Sequence, residues 1–211
     1  MKHKGNKVTI FLITFFILLS AAFMTYYYNT SKEHPKALRV LGEQGHKIRS
    51  FAFTDQEGRK ITQEDVKGKI YVVDYFFTTC SGICPKMSAN MKEVFTSFRG
   101  NKQVMILSHT VDPEKDSVTT LKEYSLKFDA DPDQWLFLTG DKKELYDMAR
   151  YSYLVTAADD TAQVDIESDF IHTDRFVLVD GKGQIRGQYE GTNKEEVKNL
   201  IADIRELMKE K

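Results

Sequence analysis

The segment Ile70–Phe77, with the sequence IYVVDYFF, constrains the fold of this chain more than any other part of it. A strand with one face in water alternates apolar and polar residues, whereas a nearly continuous apolar run is typical of a strand buried on both faces. Such strands occur in sheets that are covered by helices on both sides. The run therefore predicts the central strand of an α/β domain.

The rest of the chain alternates predicted strands and helices around this strand. Hairpins are predicted at 48–62 and 175–189, strands at 104–108 and 135–138, and helices at 85–98, 118–128, 142–153 and after the capping box Thr192-x-x-Glu195. This order predicts a thioredoxin-like three-layer sandwich with a mostly parallel central sheet. Loops at the carboxyl ends of parallel strands are the expected place for a functional site.

The N-terminus has a different character. Lys2, Lys4 and Lys7 precede Val8–Tyr28, which contains no charged residue. A helix of this length spans a hydrocarbon core of about 30 Å, so we expect one N-terminal transmembrane helix with the lysines on the cytoplasmic side. The alternatives are a cleaved signal sequence or a buried core helix. Tyrosines stand where a signal peptidase would need small residues, and no Arg-rich transit peptide precedes the span, which favours a bacterial membrane.

This reading divides the chain into an anchor (1–30), a polar tether (31–50) and an extracytoplasmic domain (51–211). We expect a single-pass protein of the bacterial cytoplasmic membrane with its C-terminal domain on the periplasmic side. The chain has a formal net charge of −1, which gives no electrostatic reason to expect nucleic acid as a partner.

Only two cysteines occur, in Cys80-Ser-Gly-Ile-Cys84-Pro85 between the buried strand and a helix. The N-terminal end of a helix favours thiolate, the form that binds metals or attacks disulfides. Two soft thiolates suit Cu(I), and an imidazole as third ligand would also admit Cu(II). Structural zinc sites normally need four protein ligands. The alternatives are inert thiols or a structural disulfide bond.

Five histidines could supply the third ligand. His3 lies on the cytoplasmic side of the predicted span, and His34 and His46 lie in the predicted tether. His109 ends a core strand and could approach the cysteines. His172 precedes a late strand and could also reach them, although an isolated loop histidine is more often an ordinary surface residue.

Four motifs, in this order, resemble those of the SCO/SenC copper-binding proteins. They are YFFTTCSGICPKM at Tyr75–Met87, TVDPEKDS at Thr110–Ser117, WLFLTG at Trp135–Gly140 and FIHTDRFVLVD at Phe170–Asp180. The resemblance extends from Phe51 to Lys211.

The resemblance implies a thioredoxin fold, a membrane anchor, and copper bound by Cys80, Cys84 and His172. It implies a metallochaperone, rather than an enzyme, that delivers copper to the CuA site of cytochrome c oxidase subunit II, or reduces that site, or serves another copper protein. Asp112 and Asp116 match acidic positions of the family near the site. The chain departs from many relatives in having no aspartate between its cysteines, and in having a histidine at position 109.

Two other functions compete with copper delivery. A thiol–disulfide oxidoreductase could use Cys80 and Cys84 as catalytic residues on a protein target, but such enzymes carry C-x-x-C and a proline near the position of His172. A peroxidase of the peroxiredoxin type needs a proline and a threonine upstream of the cysteine. Val73 and Phe77 stand at those two positions instead.

Overall fold

The computed structural model describes residues 4–30, 38–155 and 173–210, and side chains from residue 8 to 27 in the first of these ranges. It contains two compact units, residues 1–36 and 37–211. Helix α1 (Lys4–Thr30) forms the first unit. Its stretch Val8–Tyr27 has a mean hydropathy of 2.4 and is long and apolar enough to cross a membrane.

The second unit is an α/β domain with a five-stranded central sheet and a small separate hairpin. The hairpin is β1 (Ala52–Thr54) and β2 (Lys60–Thr62), and the remaining elements in chain order are α2 (Gln63–Val66), β3 (Ile70–Phe76), α3 (Cys84–Phe98), β4 (Val104–Thr110), α4 (Val118–Leu126), β5 (Trp135–Leu138), α5 (Lys142–Asp147) with a π-helical turn (Met148–Ser152), β6 (Arg175–Val179), β7 (Ile185–Glu190) and α6 (Lys194–Leu207). The strand order in the central sheet is β5-β4-β3-β6-β7.

The central sheet is mixed. Strands β3, β4 and β5 are parallel to one another, whereas β6 pairs antiparallel with both β3 and β7. Parallel pairing therefore covers the half of the sheet built by the strand–helix–strand units, as predicted. The other half is the predicted late hairpin, and its antiparallel attachment to β3 makes the sheet as a whole less parallel than expected.

Strand β3 has the burial that its sequence predicts, since all seven of its residues are buried. Alternate side chains enter two cores on opposite faces of the sheet. Tyr71, Val73 and Tyr75 belong to one core, which includes the hairpin β1–β2 and helix α5. Val72 and Phe76 belong to the other core, which is covered by α3, α4 and α6. The three layers of the predicted sandwich follow from this division.

Several local features differ from the expectations. Part of the predicted tether belongs to the compact domain, because Leu41 pairs with Ile185 and the imidazole of His46 contacts the carbonyl oxygen of Ser152 at 2.8 Å. Residues 38–50 therefore lie in the same compact unit as the α/β domain. The cap of α6 is Asn193, whose side chain accepts a hydrogen bond from the amide of Glu195, in place of the predicted cap one residue earlier.

Candidate metal centre

Both cysteines lie in the turn that joins β3 to α3, as the sequence predicts. Cys84 is the first residue of α3 and is buried, whereas Cys80 is half-buried and lies in the loop before the helix. Pro85 occupies the first turn of α3, where its missing N–H costs no helical hydrogen bond. Both are free thiols in this structure and are close enough to hydrogen-bond to each other.

The two thiols differ in acidity. Burial alone would raise the pKa of Cys80, but hydrogen bonds from the Cys84 thiol and from the backbone amides of Cys84, Gly82 and Ile83 outweigh it, so the pKa of Cys80 lies below its ordinary value. Burial and the hydrogen bond to Cys80 raise the pKa of Cys84 to about 12. The turn at the helix end therefore lowers the pKa of Cys80 but not that of Cys84. Both sulfurs bind a metal as thiolates, and the higher pKa of Cys84 makes the loss of its proton the more costly of the two.

A buried acid lies beneath this site. Asp74 is fully buried in β3, and burial raises the pKa of its carboxyl group to about 7 despite a hydrogen bond from Ser108 Oγ at 2.5 Å. The indole Nε1 of Trp135 donates in turn to Ser108 Oγ at 2.9 Å. The charge of Asp74 contributes to the raised pKa of Cys84. Sequence reasoning passed over this residue, although a single aspartate inside IYVVDYFF is itself a signal.

His109 does not join the cysteines, contrary to the possibility left open by the sequence. Its ring packs at centroid distances of 5.2–5.5 Å against Phe53, Tyr75 and Tyr153, on the face of the sheet opposite the core that contains Cys84. The imidazole is fully buried, and burial lowers its pKa to about 3. Neither ring nitrogen has a hydrogen-bond partner among the described residues. This histidine is therefore a neutral core residue.

His172, the other predicted ligand, lies outside the described residues. The chain is described again from Thr173, which is nearly buried, and β6 begins at Arg175. Because β6 is antiparallel to β3, its first residue lies at the edge of the sheet where β3 leads into the cysteine turn. His172 stands three positions before Arg175, and an extended chain covers about 11 Å over three positions.

The two aspartates of the TVDPEKDS motif have different environments. Asp116 is completely buried and accepts hydrogen bonds from the backbone amide and hydroxyl of Thr78, two residues before Cys80. Asp112 pairs with Lys115 at 3.0 Å. Among the described residues, no group of three or more histidine, cysteine, aspartate or glutamate side chains is arranged to hold a metal ion. Among the described residues the donor set is therefore the two sulfurs, which fit a soft cation such as Cu(I).

Comparison with known proteins identifies the family. The family model described as SCO1/SenC matches residues 40–209. The chain belongs to this family. It is 30% identical over 162 residues to the SCO1 protein homolog of Bacillus subtilis (strain 168), and that match covers 76% of this chain and 82% of the relative.

Solved structures of the family share this fold. The structure of BsSco, which is described as having a disulfide switch and as a member of the Sco family of cytochrome c oxidase assembly proteins, superposes with a TM-score of 0.67 at 27% identity and covers 82% of this chain and 99% of its own. ScoI of Bradyrhizobium japonicum, solved with copper bound, gives a TM-score of 0.58 at 26% identity over 73% of this chain and 97% of its own. The thioredoxin-like fold is thus confirmed, and relatives with this fold bind copper.

Proposed function

We propose that this chain is a membrane-anchored copper chaperone that serves the maturation of the CuA site of cytochrome c oxidase, with subunit II as the recipient. The observation that carries the proposal is the pair of adjacent free thiols, Cys80 and Cys84, at the N-terminus of a helix in a SCO1/SenC fold. Copper is the cargo of such a protein rather than its resident cofactor.

Within this proposal, Cys80 and Cys84 bind copper as thiolates and His172 supplies the third ligand. The acidity difference between the thiols supports an order of events, in which Cys80 meets the ion first and Cys84 releases its proton as the second bond forms. The antiparallel start of β6 beside the cysteine turn supports His172 as the third ligand. Its imidazole would extend the site from Cu(I) to Cu(II), which prefers nitrogen ligands and a higher coordination number.

Anchoring and orientation belong to the same proposal. The apolar stretch Val8–Tyr27 would hold the protein in the bacterial cytoplasmic membrane, and the lysines before it would stay in the cytoplasm. The domain would then face the extracytoplasmic side.

The test is copper titration of the purified, reduced chain with ligand variants. We expect the wild type to bind one Cu(I), and Cys80→Ser and Cys84→Ser each to lose tight binding, because a disulfide or a hydroxyl offers no thiolate. His172→Ala should keep substantial Cu(I) binding but lose a stable, coloured Cu(II)–thiolate complex. Undiminished affinity in either cysteine variant would overturn the site.

A matched control distinguishes copper delivery from thiol–disulfide exchange through the same cysteines. The relatives that were solved with copper bound support copper binding over this second activity. Reduction of a disulfide requires Cys80 and Cys84 but no imidazole ligand. His172→Ala should therefore prevent oxidase assembly if the function is copper delivery, whereas His109→Phe should not, because it keeps a ring in the opposite core and removes only the imidazole. Normal assembly with His172→Ala would contradict the proposal.

A further inference from the structure

A buried carboxylate connects the cysteine turn to the neighbouring strand. The side chain of Asp116 is 0% exposed. It accepts hydrogen bonds from the hydroxyl of Thr78 at 2.5 Å, from the amide of Thr78 at 3.2 Å and from the hydroxyl of Thr110 at 2.5 Å. Burying a carboxylate is costly unless its oxygens are satisfied, so these three groups hold Asp116 in one place and are themselves held by it.

The two threonines stand at the carboxyl ends of adjacent parallel strands. Thr110 is the last residue of β4 and is paired with Phe76, the last residue of β3. Thr78 follows β3 by two residues and precedes Cys80 by two. The amide of Cys80 donates to the carbonyl oxygen of Phe77 at 3.2 Å. Asp116 therefore fixes the backbone on the strand side of the cysteine turn, as the first turn of α3 fixes it on the helix side.

Of the two aspartates in the TVDPEKDS motif, it is Asp116 that contacts Thr78, whereas Asp112 pairs with Lys115. Lys115 forms its ion pair with Asp112, so the compensation of Asp116 comes from hydrogen bonds rather than from that cation. The amide of Asp112 donates to the hydroxyl of Thr110 at 2.9 Å, and the amide of Asp116 donates to the carbonyl oxygen of Asp112 at 2.9 Å. The loop that carries Asp116 is thus closed on itself and presents the carboxylate at a fixed position.

We propose that Asp116 is a positioning residue for the copper-binding thiols: it holds Thr78, and through Thr78 the turn in which the Cys80 sulfur meets the amides of Gly82, Ile83 and Cys84. The copper part of this inference rests on the proposed function, whereas the placement of the Cys80 thiol does not. Without the hydrogen bonds of Asp116 the turn can relax, and the Cys80 sulfur is no longer held beside the backbone amides of Gly82, Ile83 and Cys84.

The experiment uses the full chain in detergent, in the wild type and in Asp116→Asn, Thr78→Val and Thr78→Ser. Asparagine has one acceptor oxygen where aspartate has two, so it cannot accept hydrogen bonds at both positions. At position 78, valine removes the hydroxyl group, whereas serine keeps it. Two quantities are measured: the rate at which iodoacetamide alkylates Cys80 in the reduced, copper-free protein at fixed pH, and the affinity and absorption spectrum of the Cu(II)–thiolate complex.

We expect Asp116→Asn and Thr78→Val to change the alkylation rate of Cys80, to shift the Cu(II)–thiolate absorption, and to weaken copper binding on the order of tenfold to a hundredfold, the usual effect of removing a group that orients a ligand. Thr78→Ser should behave as the wild type. If Asp116→Asn does not fold, the comparison of Thr78→Val with Thr78→Ser tests the same role of Asp116, because only the valine variant loses the hydroxyl that donates to it.

Asp55 offers the matched control. It is also 0% exposed and accepts hydrogen bonds within a turn, from the amides of Glu57 and Arg59 and from Arg59 Nε, but it lies in the β1–β2 hairpin. Asp55→Asn should lower stability while leaving the alkylation rate and the copper affinity within about threefold of the wild type, as for distant sites.

Equal alkylation rates in the wild type, Asp116→Asn and Thr78→Val would overturn the proposal, and so would an equal effect of Asp55→Asn, which would show a general consequence of lost stability. If the wild type binds no copper, the proposed function fails, but the alkylation rates still decide the role of Asp116.

Discussion

Replacing Asp74 by asparagine should remove a specific pH dependence of the stability of this domain. The carboxyl group of Asp74 is fully buried with a pKa of about 7, against an ordinary value of 3.8. Between these two values the folded protein holds the proton and the unfolded chain releases it. Unfolding therefore releases one proton, and the free energy of unfolding decreases as the pH rises from about 4 to about 7.

The magnitude follows from the two pKa values. A difference of one pH unit corresponds to about 1.4 kcal/mol, so the wild type should lose on the order of 4 kcal/mol relative to Asp74→Asn across this range. The contribution of Asp74 is fully present below pH 4 and is lost as the pH rises through 7. Asp74→Asn can change the stability at every pH by a constant amount without affecting this test. The test uses only how the difference in the free energy of unfolding between the wild type and the variant changes with pH.

A difference curve is necessary because His109 has the opposite effect. Its folded-state pKa of about 3 is below the ordinary value of 6.5, so the unfolded chain takes up a proton as the pH falls below 6.5 and stability decreases. From about pH 4 to 6.5 the two contributions nearly cancel in the wild type. The contribution of His109 is the same in the wild type and in Asp74→Asn. Subtracting the free energy of unfolding of the variant from that of the wild type at each pH therefore leaves the contribution of Asp74.

The assay is urea unfolding of a fragment beginning at residue 31, reduced and copper-free, at several pH values from 4 to 8. Trp135 is the only tryptophan of the chain and is buried, so its emission reports unfolding. Because its indole is joined to Asp74 through Ser108, its native emission should also titrate near pH 7. A stability difference that is flat between pH 4 and 7, or that increases with pH, would refute the reasoning.

Three further predictions concern other parts of the molecule. The stability of the wild type relative to His109→Phe should decrease as the pH falls from 6.5 to 4, measured by the same urea titration, and a difference that does not change with pH would show that His109 is protonated in the fold. Gly191→Ala should destabilise the domain by about 1–3 kcal/mol in thermal or urea unfolding, because the added methyl carbon would lie 2.6 Å from the buried ring of Phe176; an unchanged midpoint would contradict this close packing. An alkaline phosphatase reporter fused to the C-terminus should be active in bacteria, because that enzyme works only after export, and activity confined to a cytoplasmic reporter would reverse the orientation.

The sequence by itself determined the class of fold and the cysteine pair. The buried run Ile70–Phe77 and the alternation of strands with helices are local patterns, and local periodicity reflects which side chains face a core. The position of Cys80 and Cys84 between strand and helix follows from the same local order. The acidity of the two thiols did not follow, because it depends on how deeply each sulfur is buried and which amides it meets.

Only the tertiary structure decided how distant segments combine. Residues adjacent in space can be far apart in sequence, so the antiparallel attachment of β6 to β3 could not be read from either strand alone. The same limit applies to His109, whose side of the sheet is fixed by the register of β4 with β3. Sequence reasoning also could not separate Asp112 from Asp116, because the contacts of Asp116 with Thr78 and Thr110 form only when two strand ends and a loop come together.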